Sequence, residues 1–409
     1  FVSGQNYHGL KKLNLANGWS DPTMLREKVL MDVCRAEGVL APRMSFANVY
    51  LNDVHWGFYG VIEQVDKTFL ERWLDDDRGN LFKAGDNYTP DGGGLGQEAD
   101  LQYHGAAPAN YTGRYELKTN ETENDWNDLL ALLDLIDNST NAEVMVELPQ
   151  RMEWNAVLRS LALDNLFGNM DAYYGSARNF YLYHDSTTLH WNWVHWDANM
   201  CFGRYVPQWV DDVTTLPATF YTPGRRLLQR IMNNAPLRME YLNAYCDLFA
   251  RFTNAELDPR IDALVELVQP HMYADLNKEY QDADFDGNIE HTVTAFSGGS
   301  WNTIPGLKSF IADRRASLLA SSLDCTTAGI AEPAFTALSV FPNPTVGAVN
   351  VMLPPGATFR DLRLVDAMGR AVEVAITPQG IDLSGLPAGG YLLQLSSAHG
   401  DARTFIVKQ

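Results

Sequence analysis

The sequence predicts an α+β protein made of two modules, a larger mixed domain and a small all-β one. Three observations carry that prediction. All ten tryptophans and all four cysteines lie before residue 326. The formal charge of −20 lies wholly upstream of residue 337, because residues from there onward hold five acidic and five basic side chains. The apolar pattern also changes, from mixed helical and strand periods to short alternating strands punctuated by Gly and Pro. The join TTAGIAEPAFTA is built of small residues with one Gly and one Pro, as suits an exposed linker. The boundaries that follow are a domain over 1–325, a linker over 326–336 and a second domain over 337–409.

In the first domain HGLKKLNLAN reads as a strand. Ser20-Asp21-Pro22 then offers an N-cap with proline in the first turn, opening a helix through LREKVLMDVCRAEG to a stop at Gly38. SFANVYLND and VHWGFYGVIEQV read as two strands of a hairpin around an Asn-Asp turn. Apolar residues at helical spacing mark ENDWNDLLALLDLID, EWNAVLRSLALDNLFG and the segments near 225–252 and 257–275. A small sheet with one helix therefore precedes a mostly helical half. DGGGLGQ (91–97) follows no strand and lacks a Lys-Ser/Thr, so it reads as a surface loop and not a phosphate loop. DADFDGN (282–288) has the Asp spacing of a calcium loop, but Val293 stands where a bidentate Glu is required, and a solvated turn is the reading. Cys34, Cys201, Cys246 and Cys325 allow three pairings in an exported chain.

The tail reads as short strands, VNVML, RDLRLVD, AVEVAI, GYLLQLSS and RTFIVKQ, the rhythm of a small immunoglobulin-like sandwich. Phe1-Val2-Ser3-Gly4 has neither the basic start nor the apolar middle of a signal peptide, so the expectation is a chain that starts inside a longer precursor. No run of about 18 apolar residues exists to form a transmembrane segment. Strong acidity argues against a nucleic-acid partner, which needs a basic face to displace counterions.

The order of sheet, helix and helical half matches the two lobes of a kinase. Such an enzyme holds nucleotide phosphates with a strand lysine fixed by a glutamate on the next helix. Lys11 or Lys12 and Glu27 are the candidates. Glu27 shares a helical face with Leu30, Met31 and Cys34, where a carboxylate needs a partner.

With those residues in view, the segment from GLKKLNLAN to EQVDKTFL, followed by GNLFKAG, DNLFGNMDAYYGSARNFYLY and WNWVHWDANMCFG, resembles the CotH kinase family. The resemblance implies an atypical two-lobed protein-kinase-like domain that uses ATP and Mg or Mn to phosphorylate protein serines or threonines. It implies Asp197 as a metal-binding aspartate, Asn179 as the second metal ligand and Asp171 as the catalytic aspartate orienting the acceptor hydroxyl. It also implies Trp191 as an adenine-stacking ring, with Glu63 and Gln64 as a hinge near the adenine. Asn199 replaces the second acid of a WDxD pattern, and the glycine-rich loop that precedes the lysine strand in ordinary kinases is expected before or at residue 1. FPNPTVG, DAMGR, IDLSGLPAGGYLLQL and FIVKQ, in that order, resemble the type IX secretion C-terminal sorting domain. That likeness implies delivery by the type IX secretion machinery, through residues 337–409, to the outer membrane surface or the medium. Two other classes compete with a kinase: a non-catalytic surface adhesin keeping the fold, and a glycosidase using Asp171 and Asp197 as a carboxylate pair.

Overall fold

The computed structural model describes residues 6, 12–85, 97–321, 323, 325, 339–352, 362–366, 370–377, 380–397 and 400–409. They fall in two compact units, Phe1–Ala328 and Gly329–Gln409. Lys11, positions 91–96 and the predicted linker 326–336 lie outside the described residues.

The first unit opens with β1 (Asn14–Ala16), α1 (Arg26–Ala36), β2 (Met44–Leu51) and β3 (Val54–Ile62), whose strands pair antiparallel in the order β1-β3-β2. Asn52 and Asp53 both take positive φ, 49° and 62°, the backbone a two-residue hairpin needs and that these two side chains tolerate. The strand expected over HGLKKLNLAN is, among the described residues, only Asn14–Ala16. Helix α1 starts at Arg26 and not at Pro22, because Asp21 folds the intervening residues into a turn. Its carboxylate accepts from the Thr23 N–H at 2.9 Å and the Arg26 N–H at 3.0 Å. Arg26 is 0% exposed. It pairs with Asp21 and donates to Asn288 Oδ1 at 2.8 Å and to the Pro305 carbonyl.

Asp66 caps α2 (Lys67–Leu74), accepting from the Thr68 N–H at 2.9 Å. A second antiparallel sheet, in the order β5-β4-β6-β7, joins β4 (Asn80–Ala84), β5 (Tyr115–Leu117), β6 (Phe180–His184) and β7 (Trp191–His195). Every residue of β7 is buried. Trp193 stacks on Phe180 with ring centroids 4.2 Å apart and meets Tyr173 edge-on, so its role is core packing.

The helices are α3 (Asn127–Asn138), α4 (Asn141–Arg151), α5 (Trp154–Leu166), the single turn α6 (Tyr173–Ser176), α7 (Arg226–Asn233), α8 (Ala235–Arg251), α9 (Asn254–Ala274), α10 (Asp282–Glu290) and α11 (Leu307–Ala320). The hairpin of β8 (Val293–Ser297) and β9 (Ser300–Ile304) stands before α11. The expected turn at DADFDGN is instead helix α10, because Asp284 accepts from the Gln281 N–H at 3.0 Å and caps it. Cys246 on α8 is bonded to Cys325, and Cys34 and Cys201 are buried thiols. Among the described residues no helix is long and apolar enough to cross a membrane.

Asp76, 2% exposed, sits where the second sheet begins. Burial pushes its pKa up, but stronger opposing contacts hold it well below the usual carboxylate range. These are the Tyr183 hydroxyl at 2.8 Å, the Ser186 N–H at 2.8 Å, Arg78 Nε at 3.0 Å and the Ser186 hydroxyl at 2.9 Å. The unfolded chain protonates this group near pH 4 and the folded one only at lower pH, so its stabilisation is complete above about pH 4 and is lost on further acidification. Asp76→Asn should therefore cost about 2 kcal/mol at pH 7. Urea denaturation should show the gap between the two proteins narrowing at pH 3.

The second unit holds β10 (Ser339–Phe341), β11 (Ala348–Met352), β12 (Leu362–Asp366), β13 (Ala371–Val372), β14 (Ala375–Thr377), β15 (Gly380–Asp382), β16 (Gly389–Ser397) and β17 (Gly400–Lys408). They form two four-stranded antiparallel sheets, β10-β11-β15-β14 and β13-β12-β16-β17. Val349, Val351 and Ile381 of one sheet share an apolar cluster with Leu364, Leu393 and Ile406 of the other.

Candidate functional site

Two chain reversals in the first unit build one cavity. The first follows α5. Asp164, buried in that helix, accepts from Asn169 Nδ2 at 2.9 Å and so anchors the start of the NMD segment. Burial raises the pKa of Asp164 and lowers that of His195, 3.3 Å away, to about 4. Gly168 takes φ 59°, and a Cβ there would come within 2.7 Å of Val213. At Gly175 a Cβ would stand 1.9 Å from the Met170 carbonyl oxygen, so the turn of α6 closes only around glycine. Ala177 and Asn179 follow with φ of 53° and 62° before β6 begins.

The second reversal follows β7. Asp197 takes φ 51°, a conformation Asp reaches more easily than most residues. The next N–H, of Ala198, donates to Glu27 Oε1 at 3.1 Å, tying α1 to this turn. Glu27 is 6% exposed. Its pKa is pushed up to about 8, first by burial and then by the negative charge of Asp197, while the Ala198 N–H opposes the rise.

Asp171, Asn179 and Asp197 all line a cavity of about 580 Å³, within the size range of small-molecule sites. Ser176 Oγ donates to Asp171 Oδ1 at 2.9 Å, and Asn179 Nδ2 donates to Asp171 Oδ2 and to the Asp171 carbonyl, each at 3.0 Å. Both of those partners only accept, so the amide nitrogen must face Asp171 and Oδ1 must face away. Asn179 is 3% exposed, and its Oδ1 is a buried acceptor without a hydrogen-bond partner. A buried amide oxygen beside a carboxylate suits a hard divalent cation. Among the described residues no three His, Cys, Asp or Glu side chains are gathered closely enough to hold a metal alone.

The other predicted residues are placed elsewhere. Lys12 is exposed and Lys11 lies outside the described residues. Of the expected ion pair between Lys11 or Lys12 and Glu27, the Lys11 arm lies outside the described residues and Lys12 makes no described contact with Glu27, which accepts from the Ala198 N–H beside Asp197. Trp191 is not in the cavity of Asp197. It lines a separate one of about 620 Å³ with Asp128 and His190, and its ring stacks on His184 at 4.6 Å. The reason is strand geometry, since six extended residues span about 20 Å. Glu63 pairs with Arg43 at 2.8 Å and with Arg72, and Gln64 donates to the Val65 carbonyl, so neither faces the cavity.

The cavity also contains residues that sequence reading missed: Ser176, Arg178, Arg225, and the rings of Trp19, Tyr205 and Trp209. Arg225 is 2% exposed, pairs with Glu98 through both terminal nitrogens at 2.8 and 3.1 Å and donates from Nε to the Gly175 carbonyl at 3.0 Å. It thus braces α6. The SARN run was the available signal for Ser176 and Arg178, adjoining Asn179 as they do.

Comparison with known proteins places this geometry in context. The family model described as CotH kinase protein matches residues 2–318, and that of the secretion system C-terminal sorting domain matches residues 339–409. Inner spore coat protein H of Bacillus subtilis (strain 168) is 26% identical over 290 residues, covering 70% of this chain and 75% of that protein. Spore coat protein homolog 1 of Rhizopus delemar is 23% identical over 295 residues, covering 67% of this chain and 44% of that protein.

Proposed function

Because the chain belongs to the CotH kinase protein family, we propose that it transfers the γ-phosphate of ATP to serine or threonine of a protein substrate. The observation that carries this reading is the single cavity gathering Asp171, Asp197 and an Asn179 oxygen with no partner. Asp197 and Asn179 would hold Mg or Mn, which when bound neutralises charge on the phosphates. Asp171 orients the acceptor hydroxyl and takes its proton as the acceptor oxygen bonds to phosphorus and the bond to ADP breaks. Asn179 and Ser176 fix the Asp171 carboxylate for that task.

The sorting domain at 339–409 marks the chain for export to the cell surface or medium through secretion machinery. The finer assignment is that 1–325 is a two-lobed kinase-like domain, 326–336 a linker, and 337–409 an immunoglobulin-like sandwich read by the type IX system at the outer membrane. One observation favours a second reading, a non-catalytic surface adhesin: no described lysine pairs with Glu27. Incubating the full chain with γ-labelled ATP and manganese separates the two. Label on serine or threonine, in the chain itself or in casein, supports transfer; absence of both label and nucleotide binding leaves the adhesin.

A further inference from the structure

We propose that Arg178 grips the phosphates of a nucleoside triphosphate in this cavity. The inference deepens the phosphotransfer reading and rests on it. Arg178 lines the cavity between Ala177 and Asn179, whose left-handed backbones bracket it. Its stem packs over Gly85, where an added Cβ would come within 2.5 Å of Arg178 Cβ. A guanidinium carries five N–H donors. Those of Arg178 form no hydrogen bond or ion pair with a described residue, and Nε is buried without a partner.

The three fully buried arginines differ from half-buried Arg178. Arg26 is paired with Asp21, Arg225 with Glu98, and Arg314 donates to Asn165 Oδ1 at 2.8 Å and to the Thr214 carbonyl at 2.9 Å. Arg225 is also the second arginine of this cavity, and its charge is already met by Glu98. Buried polar groups without partners carry a desolvation cost that a ligand relieves. Two kinds of group line this cavity: cationic donors on Arg178, and the acceptor Oδ1 of Asn179, with Asp197 in the same lining. One ligand satisfies both, an anion of several oxygens that carries a divalent cation. A metal-bound polyphosphate has that chemistry, and the planar fork of arginine matches phosphate oxygens in pairs.

The test is equilibrium binding of manganese-ATP to the full chain by calorimetry, comparing the wild type with Arg178→Ala, Arg178→Gln and Arg178→Lys, each checked for an unchanged melting temperature. Loss of charge-assisted hydrogen bonds should weaken binding by roughly tenfold or more in Arg178→Ala and Arg178→Gln, with part of the affinity recovered in Arg178→Lys. A wild type that binds alongside an Ala or Gln variant weakened by less than about threefold overturns the role of Arg178 and leaves the phosphotransfer reading standing. A wild type that binds no manganese-ATP overturns that reading together with this one.

Discussion

Asp197→Ala is expected to lower phosphoryl transfer by at least roughly 10³-fold while the melting temperature moves by no more than a few degrees. Catalysis of this reaction is mostly positioning and charge neutralisation, so losing the anionic metal ligand removes the stabilisation that matters in the transition state. The fold should survive, because Asp197 is only half-buried and the turn it begins is fastened by its neighbour, through the Ala198 N–H on Glu27. Asp171→Asn is the companion variant. It keeps an oxygen for Ser176 or Asn179 to donate to, yet cannot accept a proton. Manganese-ATP binding should persist in it while transfer falls by roughly 10²–10⁴-fold. Quantified label transfer beside calorimetric binding reads both effects. Transfer within tenfold of wild type in Asp197→Ala would sink the metal assignment.

Arg26→Met should cost about 3–5 kcal/mol of stability, the range for removing one partner of a buried ion pair. Methionine fills much of the volume but leaves Asp21 buried at 5% exposure without its cation, and it releases Asn288 and the Pro305 carbonyl. Guanidinium denaturation would read the loss, and a change below about 1 kcal/mol would show that the pair is not what fixes α1. Transfer should fall as well, because α1 carries Glu27 and the Arg26 carbonyl accepts from Cys201 Sγ at 3.4 Å, a contact with the same turn that bears Asp197.

The elements that sequence reading recovered are those whose pattern is local. Helix α1 is legible from its apolar spacing, and the β2–β3 hairpin from Asn52-Asp53, since only a few residues tolerate both positions. Asp171, Asn179 and Asp197 were singled out as an ordered set, and the structure brings those three to one cavity. What was not legible depends on distant contacts. Helix periodicity gives Glu27 a face but not what covers it, and two of its neighbours there, Asp197 and Ala198, lie about 170 positions onward. Trp191 lies on the strand leading to Asp197, but a strand's rise carries it to another cavity. The contacts of buried Arg26 with Asn288 and Pro305, far along the chain, have no local signal. DADFDGN, read as a solvated turn, is a helix, because its Asp residues serve the helix start.

The bond between Cys246 and Cys325 has a mechanical meaning. Cys325 is the last described residue of the first unit, and the bond anchors it to α8 across 79 positions of chain. A pull on the chain beyond it is therefore borne by sulfur at α8, before any load reaches the packing of α11. Tethering or traction at the tail would be taken up at that rivet, and the cavity around Asp171 and Asp197 would be insulated from whatever holds the other end.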